Sequence, residues 1–157
     1  MSVYSRRMAL GLLTIGLAAC GRKGPPRRSA PHSGGLDAGA SPEMRALVDK
    51  YAAEYDMPAS LIHRIIKRES GYNPAARNGP YYGLMQILPQ TAKTMGYKGP
   101  PAGLLDAETN LKYAGKYLRG AWLVSRGNQD RAVMWYGKGY YYEAKRLGLL
   151  KEAGFRG

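Results

Sequence analysis

From Ser41 onward the chain places apolar side chains at helical intervals, and the runs break at Pro, Gly, Asp and Asn. Ser41 and Pro42 suit the cap and first position of a helix, and Glu43 suits its first turn. Met44, Leu47, Val48, Tyr51 and Tyr55 then recur at helical spacing. A second helix is predicted from Pro58 to Ser70, with Gly71 placed to end it. The segment GYNPAARNGPYYG reads as an irregular loop, because its Pro and Gly residues interrupt any period. Pro89 opens a short helix to about Met95, and Asp106 caps a longer one carrying Leu111, Ala114, Leu118, Ala121 and Trp122. Asn128 caps another to about Tyr136, and Tyr140 to Leu147 forms the last, stopped by Gly148. No run reads better as a strand than as a helix. The pattern predicts an all-α domain of about six helices around one core, with no internal repeat.

One position breaks the pattern. On a wheel of the second helix, Leu61, Ile62, Ile65 and Ile66 fill an arc from 0° to about 140°. His63, Arg64, Lys67 and Arg68 fall on the opposite face, the solvated one, and His63 is assigned no base or metal role there. Glu69 falls at about 80°, inside the apolar arc and in the last turn, where the helix dipole disfavours an anion. Its phase and place predict a carboxyl group that holds its proton more firmly than usual, as a general acid must. Fraying of the helix at Gly71, which would let Glu69 turn into water, is the competing outcome of phase alone.

Composition adds a direction. The 157 residues suffice for one domain with a real core. Residues 1–19 form a predicted signal peptide: Arg6 and Arg7 precede the apolar run MALGLLTIGLAA, which is too short for a typical spanning helix. The ending LAAC resembles the lipobox of bacterial lipoproteins, which implies a diacylglyceryl group on Cys20 and anchorage to a membrane. Cys20 is the chain's one cysteine, so no disulfide or thiolate zinc site is expected, and nothing else points to a metal or cofactor. Residues 20–41 read as a flexible basic linker, and 42–157 as the folded domain. Net charge is +13, or +11 once Arg6 and Arg7 leave with the signal. Such a domain seeks polyanions, and secretion directs it away from nucleic acid toward an envelope polymer bearing carboxylates. The thirteen Tyr residues suit core edges, and equally a sugar cleft lined with flat rings.

The combination of ESGYNP, Glu69 to Pro74, with GLMQILPQTA, Gly83 to Ala92, resembles the catalytic core of the lytic transglycosylases of the soluble, goose-lysozyme-like type. The likeness spans roughly Pro58 to Gly139, most of the folded part. It implies a lysozyme-like fold, Glu69 as catalytic acid and base, and a sugar cleft lined by Gly83, Leu84, Met85 and Gln86. The segment VMWYGKG resembles the family's Tyr-Asn-Ala-Gly element through Tyr136 and Gly139, with Gly137 and Lys138 in place of Asn and Ala. Tyr136 is thereby expected to orient Glu69 or a sugar hydroxyl. Gln86 and, from its loop position, Asn78 are expected to hydrogen-bond sugar substituents, and Ser70 either caps the helix end or touches substrate.

Retaining and inverting glycosidases use a pair of carboxyl groups. The other acids of the domain fall at caps, at first turns or outside the segments that resemble the cleft, leaving Glu69 alone. The family resemblance accounts for a single carboxyl: the C6 hydroxyl of N-acetylmuramic acid attacks its own anomeric carbon and leaves a 1,6-anhydro end. The expected protein is a monomeric peptidoglycan lytic transglycosylase, lipid-anchored in the periplasm at the outer membrane and acting on glycan strands. A muramidase that admits water, and a peptidoglycan-binding lipoprotein without turnover, are the alternative readings.

Overall fold

The computed structural model describes residues 39–155; the predicted signal peptide, Cys20 and most of the linker lie outside the described residues. Six α-helices and one 3-10 helix surround a single core. Helix α1, Pro42–Glu54, begins where Ser41 accepts a hydrogen bond from the Met44 amide at 3.2 Å, satisfying an N–H that has no partner within the helix. Helix α2, Ala59–Glu69, buries Leu61, Ile62, Ile65 and Ile66 as the wheel predicts. Pro89–Thr94 forms α3, Pro101–Leu105 the 3-10 helix, Ala107–Val124 α4, Gln129–Lys138 α5 and Tyr141–Arg146 α6. Asp106 accepts from the Thr109 amide at 2.8 Å and Asn128 from the Arg131 amide at 2.9 Å, so both predicted caps form.

Helix α4 is the axis of the domain. Leu111, Ala114, Leu118 and Ala121 lie buried along it, and α1, α3, α5, α6 and the 3-10 helix all pack against it. Among the described residues no helix is long and apolar enough to cross a membrane.

Two differences from the sequence expectation bear on the site. The loop after α2 contains a small antiparallel hairpin: β1, Arg77–Asn78, pairs with β2, Tyr81–Tyr82. Its turn is Gly79-Pro80, with Gly79 at φ +56°, the sense of twist that closes a two-residue hairpin. Strands this short carry no periodic signal, which is why the segment reads as a loop. The second difference is His63, which is buried, its Nδ1 lying 2.9 Å from the Tyr72 hydroxyl. Tyr72 comes from the loop that follows α2, and the loop's return over the polar face cannot be read from the helix wheel.

Candidate active site

Helices α2 and α5 lie side by side and advance in the same direction. Gln129 Nε2 donates to Ser60 Oγ at 3.2 Å, Arg64 pairs with Asp130 at 2.6 Å, and Arg68 reaches Gly137. This register brings the last residue of α2, Glu69, beside Tyr136 on α5. The Glu69 side chain is 23% exposed, so it is neither sealed in the apolar arc nor loose in water. Arg68 holds it, donating from Nε at 2.8 Å and from Nη2 at 2.5 Å to Oε1. The helix does not fray: the Ser70 and Gly71 amides both donate to the Ile66 carbonyl, at 3.0 Å and 3.1 Å.

The GLMQ segment is a tight loop. Tyr82 and Ile87 exchange two backbone hydrogen bonds of 3.1 Å, closing residues 83–86 between them. Gly83 adopts φ +75°, and a Cβ there would stand 2.3 Å from both the Leu104 carbonyl and the Asn110 side chain. Only glycine fits. Leu84 and Met85 are fully buried. Met85 thus has no surface for a sugar in this conformation; its part is to hold the loop. Its amide donates to Asn110 Oδ1 at 2.9 Å, and its carbonyl accepts the Tyr136 hydroxyl at 2.8 Å.

Ser70 joins the two halves of the site. It is the C-cap of α2, and its hydroxyl lies 2.8 Å from the Leu84 carbonyl, so the capping alternative describes its place. Gln86 is buried at φ +48°, an uncommon backbone conformation for a residue with a side chain. Its Nε2 donates to the carbonyls of Gly83, at 2.8 Å, and Ala76, at 3.1 Å. Its Oε1 is buried without a protein partner, the only such side-chain atom found among the described residues. Asn78 is exposed on β1 of the hairpin.

Tyr136 is buried, with its ring edge-on to Tyr117 at 5.4 Å between centroids. Burial, then the Glu69 carboxylate and Tyr117, pushes the phenol well above its ordinary range, while Arg68 acts in the opposite sense. The group therefore stays protonated and directs its proton to Met85, not to Glu69 as the sequence reading allowed. From Tyr117 the aromatic contacts run on through Tyr140 at 4.8 Å and Phe155 at 5.3 Å to Tyr141 at 5.3 Å. These rings, with Gln90, Thr91, Thr94 and Lys138, border a surface cavity of about 290 Å³.

Most other carboxylates have work elsewhere. Glu108 pairs with Lys50 and Glu143 with Arg146, Asp106 caps α4, and Asp49, Glu54, Asp56 and Glu152 are exposed. Asp130 pairs with Arg64 and lies seven residues before Gly137 on α5, about 10 Å along the helix at 1.5 Å per residue.

The residue that sequence reasoning missed is Asn110. It is fully buried, receives the Met85 amide, and donates from Nδ2 to the carbonyls of Leu104, at 2.8 Å, and Tyr82, at 2.9 Å. One side chain thus ties the GLMQ loop, at Tyr82 and Met85, to the 3-10 helix. A signal existed: Asn110, Ala114, Leu118 and Ala121 share one helical stripe, and a polar residue in an apolar stripe needs buried partners.

Comparison with known proteins places the chain in a family. Residues 46–152 match the model of the Transglycosylase SLT domain. Proteins named membrane-bound lytic murein transglycosylase C, from Yersinia pestis (strain Pestoides F) and Yersinia pseudotuberculosis serotype O:1b (strain IP 31758), are 39% identical over 80 residues. That stretch covers 46% of this chain but 22% of the length of those relatives. No solved structure matches the chain. With the matched region containing α2, the GLMQ loop and α5, the chain belongs to the transglycosylase SLT domain family.

Proposed function

We propose that the chain is a peptidoglycan lytic transglycosylase that cleaves the β-1,4 bond between N-acetylmuramic acid and N-acetylglucosamine and leaves a 1,6-anhydro end. The observation that carries this reading is the partly exposed carboxyl of Glu69, set where α2, the GLMQ loop and α5 meet, with Asp130 paired to Arg64 farther along α5. Glu69 protonates the glycosidic oxygen, which leaves as the hydroxyl of the departing sugar. The muramyl C6 hydroxyl attacks the anomeric carbon, and its proton returns to Glu69. One carboxyl therefore serves as acid and then as base, and no water enters.

Gln86 takes part through its unpartnered Oε1, which is buried in the free protein and accepts from a sugar hydroxyl or the N–H of an N-acetyl group when substrate binding exposes it. Asn78 contacts sugar from the exposed hairpin, Ser70 fixes the loop to the end of α2, and Tyr136, through the Met85 carbonyl, fixes it to α5. The substrate is the glycan strand with its carboxylate-bearing lactyl and peptide groups, which suits a strongly basic domain. We further propose a lipid anchor at Cys20 that holds a monomeric enzyme in the periplasm, at the outer membrane. The name of the Yersinia relatives, which describes them as membrane-bound, supports the membrane part of this reading.

The test is incubation with purified peptidoglycan followed by mass spectrometry of the released ends. Anhydro ends are expected, and Glu69→Gln is expected to abolish their release while leaving the circular dichroism spectrum unchanged. Reducing ends would identify a hydrolase, and no release would identify a binding protein. Release by Glu69→Gln at the wild-type rate would sink the proposed mechanism.

A further inference from the structure

Glu69 has a charged neighbour on its own helix. Both donors that Arg68 offers converge on one carboxylate oxygen, Oε1, where a guanidinium bound side-on to a carboxylate serves two oxygens. The Arg68 side chain is 49% exposed and that of Glu69 23%, so the cation is the more solvent-accessible partner. On the α5 side the guanidinium meets Gly137, where a Cβ would lie 3.8 Å from Nη2, and glycine leaves no side chain there to confine it. The two charges act in opposite senses on the Tyr136 phenol, which places the pair near the group that ties α5 to the GLMQ loop.

A guanidinium has five donors, no acceptor and no proton to give. While it donates to Oε1 it takes up one of the two oxygens from which the carboxyl group can deliver a proton and holds the side chain in one orientation. The proposed substrate, a peptidoglycan strand, carries carboxylates of its own. We propose that Arg68 is a positioning residue that acts as a substrate-released latch, a reading that rests on the assignment of Glu69 as the acid and base. Without substrate Arg68 restrains Glu69. A carboxylate on the bound muramyl residue, lactyl or peptide, draws the guanidinium away, which frees Glu69 and orients the sugar in the same movement. The latch makes acidic glycan the better substrate in turnover and not only in binding.

The test compares kcat and KM of the full chain on purified glycan strands and on the same strands with their carboxyl groups converted to methylamides. For the wild type, kcat falls about tenfold on the amidated strands, the size expected from one lost charge-assisted contact. In Arg68→Ala the two strands give the same kcat to within about twofold, and Arg68→Lys, which keeps the charge without the fork, retains part of the difference. Persistence of the full preference in Arg68→Ala overturns the latch.

A readout without turnover is the Nε–H resonance of Arg68 in the full chain. N-acetylmuramic acid, which carries the lactyl carboxylate, is expected to shift it, and N-acetylglucosamine is not. Equal shifts with both sugars, or with neither, overturn the proposal. Failure of the underlying function looks different: no anhydro ends from the wild type, while N-acetylmuramic acid still moves the Arg68 resonance.

Discussion

The GLMQ loop owes its shape to single residues whose replacement has separable costs. Asn110→Ala removes the partner of the Met85 amide and of the Tyr82 and Leu104 carbonyls. Leaving such buried groups unpaired is expected to cost about 3 kcal/mol, read from urea unfolding midpoints. Gly83→Ala meets two obstacles together, a φ of +75° and atoms at 2.3 Å from the new Cβ, one of them backbone. A loss above about 3 kcal/mol is expected, with activity falling in the fraction that remains folded because the loop itself is displaced. Glu69 contrasts with both: it caps nothing and fills no core space, so Glu69→Gln removes chemistry without removing stability. The sequence marked Glu69 by its phase on α2, but the ion pair with Arg68 was invisible there, because adjacent helix residues point about 100° apart and meet only through long, bent side chains.

At the scale of elements, capping and apolar period were legible because both are local. Asp106 is such a case. Its carboxylate accepts the Thr109 amide, which holds its titration below the ordinary value of 3.8. The folded state therefore binds this proton less readily than the unfolded state, so the cap stabilises the fold above the ordinary Asp range. That contribution is lost as pH falls through the depressed value. Asp106→Ala is expected to cost about 1 kcal/mol at pH 7, and the gap between variant and wild type should close in urea titrations repeated well below pH 3.8. A gap independent of pH would assign the effect to packing. The hairpin at residues 77–82 is the opposite case, since a two-residue strand has no period and exists because Tyr82 also bridges to Ile87.

For the whole molecule, the basic excess predicts how it meets its polymer. Cosedimentation with purified peptidoglycan is expected to weaken several-fold as salt rises from about 50 to about 500 mM, over which screening shortens the reach of surface charge. Binding indifferent to salt would assign recognition to the aromatic cavity beside Tyr117 instead. Among the described residues, the six helices, their caps and the apolar stripes that assemble them are legible from local spacing, because helix formation and burial are written in near-neighbour order. The same spacing also singled out Glu69, as a charge in the wrong phase. What surrounds that charge follows from packing between elements. The rungs from α2 to α5 bring Tyr136 alongside, Asn110 reaches the loop from α4, Met85 turns inward, and Arg68 closes over the carboxyl. These contacts join residues far apart in the chain or depend on how long side chains bend, and neither is fixed by local spacing.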